Sequence, residues 1–527
     1  MVNVTIGDIY TRFGDVDFSH SSLLRTNIGH IQAFSSEFDY QGPRTIKFDG
    51  ARMRQSSFSH INGADVSFRN VIITKTRFMD LCIGNQRIMD DCSIEHSQMG
   101  YLFGNDYSEI VWRRTTMSNS IIEGLSSDMK GESSVFDNVN ISRIVLQRSS
   151  EFKSSFLFEN CYIRSLLDWD LYYDDTVHWT MIDSHLCEWV GLVGGRYINV
   201  SIDIFGLSHS YFGWERMLKG PNGEFPGGEF FNCTILLIQD IEDRGYNRFG
   251  GFRLNGTTVG NFSYYRIENI EIVDSSVMNM MLSITGSKII GSSIEEFRGT
   301  VNDVEIVDSS IGNLASKSLT DLKNFNSYIR TVGPDLKVFG QPDGRPQIHH
   351  PQLLNSIILE FALIGAVDFR ESIIESSVIS LVSRNLSKLS FANTLVNESD
   401  IRIVSSNSLN HPLLEFDGCN MQNSSFLAKA EERPWADFSW TNAFIKSSRV
   451  RVMGIRGGAS LDLGTFIHTE LKLTKVRDVP LVHTTIRKNS LIQVQDSQDG
   501  RIHKVNLTGS IVRRSEIVIG NRWRVTR

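Results

Sequence analysis

Residues 56–80 read SSFSH INGAD VSFRN VIITK TRFMD, and the spacing of their apolar side chains is the main indication of the fold. When it is divided into groups of five, the third positions are Phe58, Gly63, Phe68, Ile73 and Phe78. The first position of each group is small, hydroxylated or β-branched, and the remaining positions are mostly polar. A helix buries a residue about every 3.6 positions and a strand every second position. A period of five therefore indicates neither a helix nor an ordinary strand.

The same period extends in both directions, from Phe13 to Ile88. Thirteen of the sixteen central positions are large and apolar, and the exceptions are Ala33, Pro43 and Gly63. This pattern predicts a short extended side followed by a corner, so that four sides close one square coil. The large residue points into the coil, and the residue two positions earlier fills the space beside it. Successive coils stack through backbone hydrogen bonds at a spacing of about 4.8 Å.

At this point residues 13–92 resemble the pentapeptide-repeat family. Its motif is a small residue, a polar residue, Leu or Phe, and two further polar residues. The stretches that carry the resemblance are VDFSH, SSLLR, TNIGH, SSFSH, VSFRN and TRFMD. The resemblance implies a right-handed quadrilateral β-helix over this segment.

Beyond residue 92 the register breaks and resumes. Phrases such as IVDSSV, GSSIEE, IVDSSI and ESSVIS look like coil edges with serine at the corners. We predict an all-β fold, a right-handed β-helix or β-solenoid of pentapeptide-repeat type with lateral loop insertions. A more general right-handed β-helix with longer coils would produce similar phrases and remains an alternative.

Changes in this pattern predict six segments. Residues 167–228 are rich in aromatic and acidic side chains, residues 314–352 hold four of the ten prolines, and residues 427–443 suggest a short helix and loop. The predicted segments are a pentapeptide-like solenoid (1–166), an aromatic and acidic insertion (167–228), a solenoid continuation (229–313), a Pro-rich loop insertion (314–352), a solenoid with a loop (353–444) and a basic, β-rich C-terminal part (445–527).

Composition excludes several classes of protein. The 527 residues are 41% hydrophobic and 21% charged, which is typical of a folded chain. No apolar run approaches the roughly 18 residues that a membrane helix needs. The N-terminus MVNVTIGDIY lacks the features of a secretion signal, which predicts cytoplasmic synthesis, with incorporation into a virion as one outcome. The six cysteines form no CxxC pair, so we expect thiols rather than disulfides or zinc ligands.

Charge is divided unevenly along the chain. Residues 445–527 contain 16 Lys and Arg against 6 Asp and Glu, a net charge of +10. The preceding 444 residues contain 37 against 54, a net charge of −17. The basic phrases IRKNSLIQV and SIVRRSEIVI alternate apolar and charged residues, which predicts half-buried strands with a positive outer face. This face favours docking to an acidic protein surface, including that of another copy, over nucleic acid.

No catalytic motif, cofactor site or metal site is recognisable, and we predict none of the three. The His349–His350 pair lacks an evident third ligand. The tryptophans of residues 167–228, together with nearby carboxylates, could stack on and cleave a glycan, but they also resemble a protein contact. The predicted interaction surface comprises Trp169, Trp179, Trp189, Trp214, Trp435, Trp440, Arg513, Arg514, Arg522 and Arg524.

These observations predict a non-enzymatic structural scaffold, a rigid β-solenoid within a larger protein assembly such as a virion or a tail-like particle. Its expected partners are other proteins, including copies of itself. One alternative is a glycan-binding or glycan-cleaving β-helix of the tailspike type. Another, implied by the family resemblance, is a DNA mimic that inhibits topoisomerases, although the negative charge is dilute for that role.

Overall fold

The computed structural model describes most of the 527 residues. The residues outside the description are 12–14, 34–44, 105–108, 147–154, 169–177, 191–194, 208–227, 241–247, 251–252, 321, 334–346, 350–351, 355, 406–411, 432–433, 436, 456–458, 475–477, 482–483, 496–503, 507–509, 520–522 and 527.

Every regular element in the described part of the chain is a β-strand, as the sequence predicted. The chain forms a parallel β-solenoid, and its contacts divide it into two compact units, Met1–Ile270 and Glu271–Arg527. Among the described residues there is no helix of the length and apolarity that crossing a bilayer requires.

The strands of the first unit are numbered β1 to β29 in chain order. They are Thr5–Ile6, Ile9–Thr11, Val16–Asp17, Ser22–Leu24, Asn27–Ala33, Thr45–Lys47, Arg52–Arg54, Ser57–Arg69, Ile72–Thr74, Arg77–Asp90, Ser93–Glu95, Gln98–Gly104, Glu109–Arg113, Thr116–Ser118, Ile121–Glu132, Ser134–Asp137, Asn140–Ile141, Ile144–Leu146, Ser155–Glu159, Tyr162–Asp168, His178–Ile182, His185–Val190, Gly195–Ile198, Ser201–Leu207, Glu229–Phe231, Thr234–Asp240, Arg248–Gly250, Arg253–Asn255 and Thr258–Glu268.

The strands of the second unit continue this numbering as β30 to β58. They are Glu271–Val273, Ser276–Ile290, Ser293–Val307, Ser310–Thr320, Lys323–Phe325, Tyr328–Gly333, Gln347–His349, Gln352–Leu354, Ile357–Asp368, Ile373–Glu375, Val378–Ser390, Leu395–Asn397, Asp400–Ser405, Leu413–Glu415, Asn420–Gln422, Ser425–Ala430, Phe438–Ser439, Phe444–Lys446, Arg449–Met453, Ala459–Ser460, Thr465–Ile467, Glu470–Thr474, Asp478–Pro480, Thr485–Arg487, Leu491–Gln495, Lys504–Asn506, Ile511–Arg513, Glu516–Ile519 and Trp523–Thr526.

The interior of the first unit contains the predicted column of phenylalanines. Phe18, Phe48 and Phe68 are buried, and their rings stack with centroids 5.2 Å and 4.9 Å apart. Phe58 and Phe78 form a second stack at 4.9 Å. The period of five therefore marks the inward positions, and the prediction of one aromatic interior is confirmed. Stacked rings combine a large buried apolar area with favourable ring contacts.

A left-handed residue turns the chain at the end of many three-residue strands. In the first unit, Gln55, Lys75 and His96 have φ angles of 53°, 50° and 50°. The residue after each is small, hydroxylated and buried, and it begins the next side of the coil. These buried residues include Thr26, Ser56, Thr76, Ser97 and Ser120.

The buried hydroxyl groups connect one coil to the next. The backbone N–H of Ser275 donates to Oγ of Ser292, and the N–H of Ser292 donates to Oγ of Ser309, both at 3.1 Å. The hydroxyl of Ser309 donates in turn to the carbonyl oxygen of Val307. Because each group both donates and accepts, the corner leaves no buried polar atom of these serines without a partner. This explains the recurrent serine in phrases such as IVDSSI.

Coil length varies while the corners keep their register. Arg52 pairs with Ile72 on the next coil, and Trp179 pairs with Gly195 after a shorter stretch of chain. Arg196 pairs with Glu229, which lies much farther along the sequence. Coil length already differs near the N-terminus, where Ser22 pairs with Arg52 but Arg52 pairs with the much nearer Ile72, which is why one sequence period could not be followed along the chain.

Two predicted insertions contain solenoid strands. Within residues 167–228, His178–Ile182 and His185–Val190 pair in parallel with the following strands Gly195–Ile198 and Ser201–Leu207. Within residues 314–352, Lys323–Phe325 pairs in parallel with Gln352–Leu354. The described parts of both segments therefore form coils, and treating them wholly as lateral insertions was wrong.

The helix predicted in residues 427–443 is also wrong for the residues described. Leu427 to Ala430 belong to the strand Ser425–Ala430, which pairs in parallel with Arg449–Met453. Buried Phe426 and Ala428 alternate with less buried neighbours, as in a strand that packs against a core on one face. Helix propensity of Lys, Ala and Glu was outweighed by pairing to the coils on either side.

Candidate interaction surface and the cluster at His185

Four of the predicted surface tryptophans belong to the core. Trp179 and Trp189 are 1% exposed, and Trp435 and Trp440 are 0% exposed. Trp189 stacks on Phe205 at 4.1 Å, and Trp440 stacks on Phe416 at 4.6 Å. These side chains occupy the inward positions that phenylalanine fills in other coils. Their assignment to an interaction surface is therefore wrong.

The remaining predicted residues have different positions. Trp169, Trp214 and Arg522 lie outside the described residues. Arg524 belongs to the strand Trp523–Thr526, but its side chain is not among those described. Arg513 and Arg514 are exposed, as an interaction surface requires.

Two further cations lie on the coil next to that of Arg513 and Arg514. Arg487 is the register partner of Arg513, and Lys488 occupies the corner that precedes the next side. All four side chains are exposed, and none forms an ion pair with another described residue. We call Arg487, Lys488, Arg513 and Arg514 the basic corner. The repeated phrases IRK and VRR mark it in the sequence, although only the second was assigned to a site.

Two other arginines of the basic C-terminal part share one carboxylate. Arg449 Nε lies 2.9 Å from Glu470 Oε2, and Arg451 Nη2 lies 3.4 Å from Glu470 Oε1. Val450 and Val452 are buried, so the strand Arg449–Met453 is half-buried with a charged outer face. The basic corner is therefore a group of four exposed cations that lack such an ion pair among the described residues.

A shallow polar groove follows the serine corner of the second unit. Its lining includes Glu398, Asp400, Arg449, His468 and Glu470. Three carboxylates, one arginine and one histidine line the groove, together with several serine and asparagine side chains. It offers polar contacts but no convergent set of reactive groups.

A second polar cluster lies on the first unit, where Tyr162–Asp168, His185–Val190 and Ser201–Leu207 run side by side. Tyr162 pairs with His185, and His185 pairs with Ser201. His185 Nε2 lies 3.5 Å from Cys187 Sγ and 3.4 Å from Asp203 Oδ2. The three donor atoms all lie within 4.8 Å of one another. All three residues are half-buried.

Two further side chains complete this cluster. Ser201 Oγ lies 2.5 Å from His185 Nδ1. The Tyr162 ring stacks on the His185 ring at 5.3 Å, and its hydroxyl lies 2.9 Å from Cys187 Sγ. The hydrogen bond to Cys187 and the charge of its thiolate raise the pKa of Tyr162 above its usual value.

The cluster does not have the geometry of a nucleophilic triad. In such a triad, one ring nitrogen of histidine faces the nucleophile and the other faces the orienting carboxylate. Here Cys187 and Asp203 both face Nε2, while Nδ1 faces Ser201. The sequence does not reveal this cluster, because Asp203 joins it from the next coil, at a position that the period of five does not predict.

The aromatic platform of the glycan hypothesis is not found in the described part of residues 167–228, since Trp179 and Trp189 point inward. No protein-family model matches this chain, and neither a curated protein nor a solved structure does.

Proposed function

We propose that this protein is a non-enzymatic scaffold, a β-solenoid of pentapeptide-repeat type that docks to acidic protein surfaces within a larger assembly. The observation that supports this proposal is the basic corner of Arg487, Lys488, Arg513 and Arg514. A virion or a tail-like particle is the setting we propose for such an assembly.

The solenoid backbone fixes the spacing of these cations. Arg487 and Arg513 are paired in register, so their backbones lie about 4.8 Å apart, as neighbouring strands do. Four like charges on two adjacent coils repel one another, and an acidic partner removes that repulsion. Because the backbone is already ordered, docking adds no cost of backbone ordering to the loss of translational, rotational and side-chain entropy.

Another copy of the chain offers a surface of the required charge. Residues 1–444 carry a net charge of −17, whereas residues 445–527 carry +10. Charge complementarity between such surfaces speeds association and selects the orientation of docking. We therefore propose self-association, or docking to a similarly acidic protein, as the function of the basic corner.

The experiment compares full-length chains with and without this charge. In the test variant, Arg487→Glu and Arg513→Glu are combined. The control is Arg54→Glu, because Arg54 ends the strand Arg52–Arg54 before left-handed Gln55, just as Arg487 and Arg513 end their strands before left-handed residues. Sedimentation at low and physiological salt measures self-association, and immobilised polyglutamate serves as an acidic probe.

We expect wild type and Arg54→Glu to self-associate or to bind polyglutamate, and to do so more weakly as the salt concentration rises. The affinity of the double variant should be lower by at least about tenfold. Failure of the wild type to do either would refute the proposal. Stronger binding to duplex DNA than to polyglutamate, lost in the same double variant, would instead identify the basic corner as a nucleic-acid site.

A further inference from the structure

The cluster at His185 combines the ligand types of a transition-metal site. His185 and Cys187 are two residues apart on one strand, so their side chains leave the same face. Asp203 lies on the adjacent strand Ser201–Leu207, which is held in parallel register. Imidazole, thiolate and carboxylate are the three side-chain groups that bind zinc in proteins.

The distances between the donor atoms fit a single ion. Zinc bonds of about 2.0–2.1 Å to nitrogen and oxygen and about 2.3 Å to sulfur place tetrahedral ligands roughly 3.4 Å (N to O) and 3.6 Å (N to S) apart. The structure places His185 Nε2 3.4 Å from Asp203 Oδ2 and 3.5 Å from Cys187 Sγ. Both separations from His185 Nε2 therefore match those of a tetrahedral ion, and the thiol and the carboxylate lie within 4.8 Å of each other.

A metal ion requires the neutral imidazole of His185 and the thiolate of Cys187, and the surrounding groups support both states. When His185 Nδ1 donates to Ser201 Oγ, the lone pair of Nε2 faces Cys187 and Asp203. A metal-binding histidine usually donates its other N–H to such an acceptor, which fixes the ring. The Tyr162 hydroxyl, 2.9 Å from Cys187 Sγ, can donate to a thiolate.

We propose that His185 Nε2, Cys187 Sγ and Asp203 Oδ2 bind a divalent transition-metal ion of the zinc class, with the fourth coordination position open to water or to an external ligand. The proposal departs from the sequence-based expectation that the cysteines are not zinc ligands. It is independent of the docking function, because the basic corner belongs to the other unit.

The test uses the reduced full-length chain after treatment with a chelator, titrated with Co²⁺ and then with Zn²⁺. We expect one Co²⁺ per chain, a thiolate-to-cobalt charge-transfer band and the visible bands of tetrahedral Co²⁺. Zn²⁺ should displace the Co²⁺ and remove these bands. Cys187→Ser should abolish the charge-transfer band, and Asp203→Asn should weaken binding by at least about tenfold. Ser201→Ala should weaken binding by roughly 10- to 100-fold, because it removes the partner that orients His185.

His60→Gln is the matched control. His60 is a partly exposed strand histidine whose Nδ1 lies 2.9 Å from Asp80 Oδ2, without a thiol in the pair. It should leave the titration unchanged, and circular dichroism confirms that every variant is folded. A folded wild type without the charge-transfer band, or a Cys187→Ser variant that keeps it, would overturn the proposal. Rapid alkylation of Cys187 that Zn²⁺ does not slow would overturn it too, in favour of a reactive thiol.

Discussion

The backbone N–H of Ser377 donates a 3.1 Å hydrogen bond to Oγ of Ser399, the residue at the same corner of the next coil. Ser399 repeats this relationship with Ser424, and Ser424 repeats it with Ser448. Each hydroxyl thus satisfies a buried N–H of the preceding coil. Such a row joins coils by side chains in addition to the backbone ladder.

Removing one hydroxyl from this row should destabilise the solenoid. Ser399→Ala leaves the buried N–H of Ser377 without its acceptor, which costs about 1–3 kcal/mol. Ser399→Thr keeps the hydroxyl, as Thr469 does at the same corner of a later coil, and should cost less. Urea denaturation of both variants measures the difference. Equal midpoints for the two variants would contradict this role of the hydroxyl.

Trp440 should tolerate phenylalanine but not alanine. Phe369, Phe391 and Phe416 form one stack with centroids 5.0 Å apart, and Trp440 continues it. Trp440 Nε1 is buried and has no hydrogen-bond partner among the described residues. Trp440→Phe should therefore cost less than about 1.5 kcal/mol, whereas Trp440→Ala should cost about 3–5 kcal/mol. Thermal unfolding of the two variants tests the order, and a greater loss for phenylalanine would show that the indole N–H matters.

Gly100 should not accept a methyl group. A Cβ built on Gly100 would overlap the carbonyl oxygen of Met79 on the neighbouring coil. Gly100→Ala must therefore displace backbone, and we expect a loss of about 2–4 kcal/mol. Gly7 is the matched control, because nothing lies within 4 Å of its Cβ position. A urea midpoint for Gly100→Ala equal to that of Gly7→Ala would disprove the close approach.

Leu463 offers a route to higher stability. It is 51% exposed, and its φ angle of 58° lies in the left-handed region that disfavours leucine. Asn442 has a φ angle of 55° at the same corner of the preceding coil. Leu463→Asn should therefore raise the free energy of unfolding by about 1 kcal/mol, and Asn442→Leu should lower it by a similar amount. Changes of the same sign in the two urea midpoints would contradict the argument.

Alkaline pH should weaken the fold through its buried thiols. Burial raises the pKa of Cys92, Cys161 and Cys233 to about 11 and that of Cys419 to about 12. The unfolded chain loses these protons near pH 9, whereas the folded chain retains them. The stabilisation is therefore complete below about pH 9 and is lost as the pH rises through about 11.

Replacing one thiol isolates this effect from other groups that titrate at high pH. Cys161→Ser removes one titrating group, and serine is the natural residue at this corner in the next coil, Ser184. We expect the fall in stability between pH 8 and pH 11 to be smaller in the variant than in wild type, by on the order of 1–3 kcal/mol. Parallel stability curves for wild type and Cys161→Ser would contradict this attribution.

The sequence predicted the interior of the N-terminal coils because one side chain per five residues has to fill it. Phe48 and Phe68 are recognisable for this reason alone. Trp179 and Trp440 were misassigned because a tryptophan in a polar phrase resembles a surface contact, although it substitutes for an inward phenylalanine. The cluster of His185 and Asp203 could not be predicted, since the length of chain between adjacent coils is set by where the chain turns rather than by a local pattern.

The unequal coil lengths, short between Trp179 and Gly195 and long between Arg196 and Glu229, have a consequence for how such a chain can change. The corners and inward columns tolerate gain or loss of residues elsewhere in a turn, because hydrogen-bond register is re-established at the next corner. Segments facing outward can thus lengthen, shorten or acquire new chemistry during evolution while the interior is preserved. Changes in the outward segments and changes in the inward residues can therefore accumulate almost independently of each other.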